Sequence, residues 1–105
     1  MPQVILQFQE PHKGAFILLE NKEKQGEMLF EISPASGATA HKAAQLIIRH
    51  TEVKPENEGK GFAKLMFLKM IAYARENHLQ VVPFCTYVLS QLKRNPEQYQ
   101  DVWTL

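Results

Sequence analysis

The scarcest chemistry-bearing residues of this chain are cysteine and aspartate, each present once, as Cys85 and Asp101. One cysteine cannot close an internal disulfide, so a reducing, intracellular setting is the expectation. Nor can it complete a zinc site, and the four histidines, His12, His41, His50 and His78, are scattered without metal-ligand spacing. With its only aspartate in the tail, the chain lacks a well-placed acid for a Ser-His-Asp triad. No apolar run approaches the roughly 20 residues that cross a bilayer. The N-terminal Met1-Pro2-Gln3-Val4-Ile5-Leu6 has no basic flank and no cleavage site, so a cytoplasmic protein with no membrane partner is expected. Excess charge is also missing: twelve Lys and Arg against eleven Asp and Glu leave a net charge of +1. That balance, with no basic residues interleaved with aromatics, argues against nucleic acid as the partner.

What the chain does have is 45% hydrophobic content over 105 residues, enough for one modest core and too little for two, so residues 1–105 read as one domain. Gln3 to Phe8 alternates weakly as a first strand. After the turn cluster Pro11 to Gly14, Ala15 to Glu20 is a second. The polar Asn21 to Gly26, ending in glycine, predicts a tight reversal into a third strand, Glu27 to Ile32. In that strand Met28, Phe30 and Ile32 share one face and Glu27, Leu29 and Glu31 the other, so one side is buried. Ser33 to Gln45 is small in composition and reads as a surface loop with one helical turn at its alanine-rich end.

Leu46 to Val53 reads as a strand that alternates Leu46, Ile48, His50 and Glu52 against Ile47, Arg49, Thr51 and Val53. Lys54 to Asn57 turns, and Gly59 opens a helix to about Asn77, apolar around most of its circumference and therefore central. Leu79 to Pro83 is a short strand, and strand, helix, strand implies parallel pairing through a right-handed crossover. A helix over Phe84 to Leu92 follows. Asn95-Pro96-Glu97 then forms a cap with proline at the first helical position, and Trp103 reads as a packing residue.

The stretch organising all of this is the glycine-containing turn. A strand feeding Glu58-Gly59-Lys60-Gly61 and then a helix offers free backbone N–H groups at the positive end of the helix dipole, unobstructed at Gly59 and Gly61. That is an anion site, with phosphate its commonest guest. Lys60 and Lys64, one turn apart, lie beside it, or are simply solvated. A Walker loop would need Ser or Thr where Gly61 stands. A dinucleotide fingerprint would need glycine at Lys64 and an acid at Pro83 or Phe84. The pattern left is strand, turn, x-Gly-x-Gly-x-Ala, apolar helix, strand.

In this pattern the chain resembles the GNAT superfamily of acetyl-CoA-dependent N-acetyltransferases. His50-Thr51-Glu52-Val53, Gly59-Lys60-Gly61-Phe62-Ala63-Lys64-Leu65, Ala74-Arg75-Glu76, Val82-Pro83-Phe84-Cys85-Thr86-Tyr87-Val88 and Asn95-Pro96-Glu97 resemble its short, YjdJ-like single-domain branch, over about His50 to Val102. The resemblance implies an α/β, GNAT-like acyl-CoA N-acyltransferase fold: a mixed sheet with N-terminal antiparallel strands, a central helix and a splayed parallel strand pair. It implies acetyl-CoA (coenzyme A) as cofactor and an amine acceptor, of a small molecule or a protein lysine, with the chain a monomer or weak dimer.

The resemblance also implies roles. The backbone of Gly59, Lys60, Gly61, Phe62 and Ala63 would hold the coenzyme A pyrophosphate, with Lys60 or Lys64 as screening charges. The strands at Thr51, Glu52 and Val53 and at Val81 to Pro83 would part to admit the pantetheine arm, and the acetyl thioester would end near Cys85. Glu58 stands where the loop usually carries Arg or Gln, so its carboxylate has to point to solvent. Acetyl transfer needs the amine deprotonated and the departing thiolate stabilised or protonated. Glu52 and His50 would relay the first proton. Cys85 has three readings: a small buried packing residue, an acid for the thiolate, or a nucleophile carrying the acetyl group. Tyr87 is a competing acid and equally a core residue, and His50 is equally a structural hydrogen-bonding residue. The alternative function is a non-catalytic coenzyme A-binding or protein-interaction module of the same fold.

Overall fold

The computed structural model of the chain describes residues 1–34 and 44–104. The loop expected around Ser33 to Gln45 therefore falls, over 35–43, outside the described residues. Five strands, β1 (Gln3–Glu10), β2 (Lys13–Glu20), β3 (Glu23–Ser33), β4 (Gln45–Val53) and β5 (Gln80–Pro83), form one sheet in chain order. The first four are antiparallel neighbours and β5 runs parallel to β4. Helix α1 (Phe62–Glu76) makes the crossover between them, and α2 (Thr86–Arg94) follows β5. This is the α/β class with a mixed sheet that the sequence leads one to expect. Among the described residues no helix is long and apolar enough to cross a membrane.

The alternation in β3 does what its sequence demands: Met28 and Phe30 are buried, and so are Phe16 and Leu18 of β2 and Leu46 and Ile48 of β4 beside them. Helix α1 lays Met66, Phe67, Met70, Ile71 and Ala74 on this face, and α2 adds Val88 and Leu92 to the same cluster. Tyr99 comes from a 3-10 turn, Pro96–Tyr99, with proline at its first turn; its ring meets Phe67 edge-on at 5.4 Å. Trp103 is packed into this cluster. Leu65 and Leu68, on the other flank of α1, stay exposed, so the helix is buried on one side rather than all round.

Most strand ends shift by a residue or two from the sequence reading, and three boundaries differ for a clear local reason. The β2–β3 reversal is two residues long, because Asn21 and Lys22 both adopt left-handed φ (54° and 68°), the conformation whose twist matches a hairpin. Gly26 thus lies inside β3. Helix α1 starts at Phe62 because Gly59 (φ 86°) and Gly61 (φ 80°) are left-handed and cannot continue a right-handed helix. Helix α2 starts at Thr86 and runs on to Arg94, with Cys85 in the N-cap position.

The fourth difference changes the site. Leu29 faces His50 while Phe30 faces Ile48, so Arg49 is an extra residue in β4, a β-bulge. The strict alternation expected for this strand is reset there. Thr51 now lies opposite Met28 and Val53 opposite Gly26, on the helix-covered face; His50 lies opposite Leu29 and Glu52 opposite Glu27, on the other. The β4–β5 ladder covers only Gln45 to Ile48 against Gln80 to Pro83. The Cys85 N–H then donates to the Ile48 carbonyl (3.1 Å), and α2 leads the chain away. Val81 to Pro83 are therefore paired, and the parting of the chains expected there begins one step later, beyond Ile48. The outer edge of β5 is covered: the Val81 N–H donates to the Val102 carbonyl at 2.7 Å, and Gln80 Nε2 to that of Asp101 at 3.1 Å.

Candidate active site

The start of α1 is a bank of unused donors. Leu65 is the first residue whose N–H closes a helical bond, onto the Gly61 carbonyl at 3.1 Å. The N–H groups of Gly59, Gly61, Phe62, Ala63 and Lys64 donate to nothing among the described residues. Such orphan amides sit at the positive end of the helix dipole. A Cβ placed on Gly59 or Gly61 would meet no atom within 4 Å, so the loop faces open space. That space is a cleft of about 420 Å³ lined by Val53, Glu58, Gly59, Gly61, Phe62 and Lys64, with Tyr87 of α2 closing its far side.

Lys64 lines it and Lys60 belongs to the same loop, and neither is ion-paired among the described residues. Lys60 Nζ donates to Asn57 Oδ1 (2.9 Å) and Lys64 Nζ to Gln91 Oε1 (2.9 Å), both neutral acceptors, so both charges remain free to act on an anion. Lys64 also lies over the Phe67 ring. Asn57 is buried in the 3-10 turn Pro55–Asn57 and bonds Gln25 of β3, which ties the loop to the sheet. Glu58 is exposed, as its place beside an anion site requires.

Past Ile48, β4 has no strand neighbour on its β5 side among the described residues. The Lys54 N–H donates to the Gln25 carbonyl, toward β3, so by alternation Glu52 and His50 also turn their backbone groups to β3. Thr51 and Val53 turn theirs the other way, into the opening between β4 and α2. At the apex of the opening the Cys85 Sγ, 7% exposed, donates to Thr51 Oγ1 at 3.2 Å. Tyr87, two residues on and in the first turn of α2, is half-buried. Burial pushes its phenol above the ordinary value near 10; Arg94 opposes the shift, while Cys85 and Tyr99 add to it. The group keeps its proton at neutral pH and is available as a donor.

His50 and Glu52 lie on the opposite face of β4. They are exposed, and His50 Nε2 is 3.4 Å from Glu52 Oε2. Of the residues singled out from sequence, the cleft gathers Val53, Glu58, Gly59, Gly61, Phe62, Ala63, Lys64 and Tyr87. Thr51 and Cys85 meet at its apex, Lys60 is turned onto Asn57, and His50 and Glu52 stand across the strand. Sequence reasoning missed Asn57, Gln91 and Gln25, the polar residues that hold the loop and its lysines. Only the proline-led turn before Asn57 hinted at one of them.

Comparison with known proteins places the fold. The model of the family described as GCN5-related N-acetyl-transferase matches residues 15–102. The chain belongs to this family of acetyltransferase enzymes, whose general reaction is acyl transfer. Among solved structures it is similar to a ribosomal-protein-alanine N-acetyltransferase from Brucella melitensis biovar Abortus 2308, with a TM-score of 0.70 at 16% identity over 93% of this chain and 90% of that one. It is also similar to an aminoglycoside acetyltransferase, meta-AAC0020, from an uncultured soil metagenomic sample, with a TM-score of 0.65 at 13% identity over 82% of this chain and 58% of that one. At such identities the likeness is one of fold. No curated protein sequence matches the chain.

Proposed function

We propose that the chain is an acetyl-CoA-dependent N-acetyltransferase that moves an acetyl group from a thioester sulfur to the nitrogen of an amine, on a small molecule or a protein lysine. One observation carries the reading: the amides of Gly59 and of Gly61 to Lys64, unpaired among the described residues, open into the same cleft as Val53 and Tyr87, next to a strand whose backbone at Thr51 and Val53 turns away from β3. Five such amides, with Lys60 and Lys64 free of ion pairs among the described residues, suit a diphosphate. The free backbone groups of Thr51 and Val53 suit the amides of an extended pantetheine arm. Coenzyme A would supply the acyl group as a thioester, and the rest falls to this chain's residues. The one core supports treating residues 1–105 as a single domain, and the lone cysteine is the ground for a cytoplasmic setting.

The transfer forms a C–N bond and breaks a C–S bond, so one proton leaves nitrogen and one is owed to sulfur. Glu52 takes the first, directly or through His50, from an amine entering on the helix-free side. Tyr87 gives the second from the cleft side, where its raised pKa keeps the phenol loaded. Cys85 holds Thr51 and is not required as a nucleophile. Calorimetric titration with acetyl-CoA should give a dissociation constant between about 1 μM and 1 mM, with Gly61→Val as the weakened control. Release of free coenzyme A should then follow addition of an acceptor from a panel of amines. No heat up to about 1 mM would end the proposal. Binding without release for any amine would favour the non-catalytic coenzyme A-binding module, for which the Glu58 carboxylate at the cleft is the supporting observation.

A further inference from the structure

Away from the cleft, the two edges of the sheet are treated differently. The outer edge of β5 is covered by the Val102 carbonyl, whereas β1, eight residues long, is an open edge among the described residues. Natural edges are usually blunted by charge, proline or a bulge. In β1 the only such devices are a register shift between Phe8 and Glu10 and the charge of Glu10 itself, which leave Gln3 to Gln7 uncharged and regular. Beside that unguarded stretch, a groove of about 330 Å³ runs between β1 and α1, floored by Val4, Leu6 and Tyr73. Its α1 rim carries Lys69, Ala72 and Glu76. Lys69 and Glu76 are exposed, and neither has an ion-pair partner among the described residues.

We propose that this edge is a self-association surface on which a second copy of the chain docks about a two-fold axis. The charge pattern selects the occupant. Lys69 and Glu76 lie two turns apart on one flank of α1 with the small Ala72 between them. A second α1, antiparallel about the point between Ala72 and Tyr73, sets Lys69 of each copy against Glu76 of the other. The strand residues lining the same groove, Val4 to Leu6, are centred on Ile5. Antiparallel pairing of β1 with its copy about Ile5 opposes each residue to its symmetry mate and continues the sheet across both molecules. The same axis satisfies strand and helix, as an isologous contact requires.

Sedimentation equilibrium of the full chain should show a mass rising from 12.1 kDa toward twice that value with concentration. Lys69→Glu and Glu76→Lys, both exposed and remote from the cleft, should each raise the dimer dissociation constant about tenfold, because two attractive pairs become repulsive. The double variant, which swaps the charges, should restore it to within about threefold. Hydrogen exchange should slow at alternate amides between Gln3 and Gln7 as dimer forms. A chain that stays monomeric to about 1 mM, a dimer indifferent to both single reversals, or a dimer with unprotected β1 amides would each overturn the proposal.

Discussion

Replacing Gly26 by alanine probes the contact that sets β4 against the rest of the sheet. The new Cβ would sit 2.9 Å from the Glu52 carbonyl oxygen, 3.1 Å from Met66 Cε and 3.3 Å from Val53 Cγ2. A carbon meets a carbonyl oxygen comfortably at about 3.3 Å or more. The thioether end of Met66 can swing aside, but the Glu52 carbonyl is backbone within the β3–β4 ladder and moves only with the strand. The expected strain is about 1–3 kcal/mol, offset in part by the roughly 0.4–1 kcal/mol that Gly→Ala contributes by stiffening the unfolded chain. The net loss, on the order of 1–2 kcal/mol, should lower the urea midpoint with an unchanged slope and the melting temperature by about 4–8 °C for each kcal/mol. Because the displaced segment is Thr51 to Val53, affinity for acetyl-CoA should fall several-fold as well. An alanine variant as stable as the parent would refute the close approach. One that is destabilised yet binds acetyl-CoA undiminished would detach β4 from the site.

Tyr87→Phe should lower kcat by about 10²–10⁴ with little change in KM, read from steady-state rates. It should also alter alkaline stability. Below pH 10 the phenol is protonated in folded and unfolded chains alike; above that the unfolded state ionises first, so the parent loses stability as pH rises through the raised folded value. The variant should lack that loss in denaturation curves taken above pH 10. Cys85→Ala should retain activity within about tenfold, and intact-mass spectra of the parent incubated with acetyl-CoA should show no acetyl adduct; an adduct at Cys85 would install it as a nucleophile. Phe67→Ala, emptying a fully buried ring site against Tyr99, should cost about 3–5 kcal/mol in chemical denaturation, and a cost under about 1 kcal/mol would contradict the packing.

The elements were legible where the pattern is local. Met28, Phe30 and Ile32 marked the inner face of β3, the x-Gly-x-Gly-x-Ala turn marked the start of the crossover, and strand, helix, strand required β5 to be parallel. The hairpin itself was legible but its length was not, because its left-handed positions are filled by Asn21 and Lys22 rather than by the glycine that follows. The bulge at Arg49 escaped because it exists only relative to β3, and no count along β4 reveals it. Strict alternation therefore put His50 and Glu52 on the wrong face. Asn57 and Gln91 look like ordinary surface amides in sequence; their burial depends on Gln25, Lys60 and Lys64, distant partners that only the fold brings near.

The extra residue at position 49 has a kinetic corollary. By turning Thr51 and Val53 inward and His50 and Glu52 outward, it would, if the proposed function holds, give the thioester and the amine separate doors on opposite sides of one strand. On the proposed reading neither substrate blocks the other's route, so turnover runs through a ternary complex that either partner can enter first, with intersecting rather than parallel double-reciprocal lines.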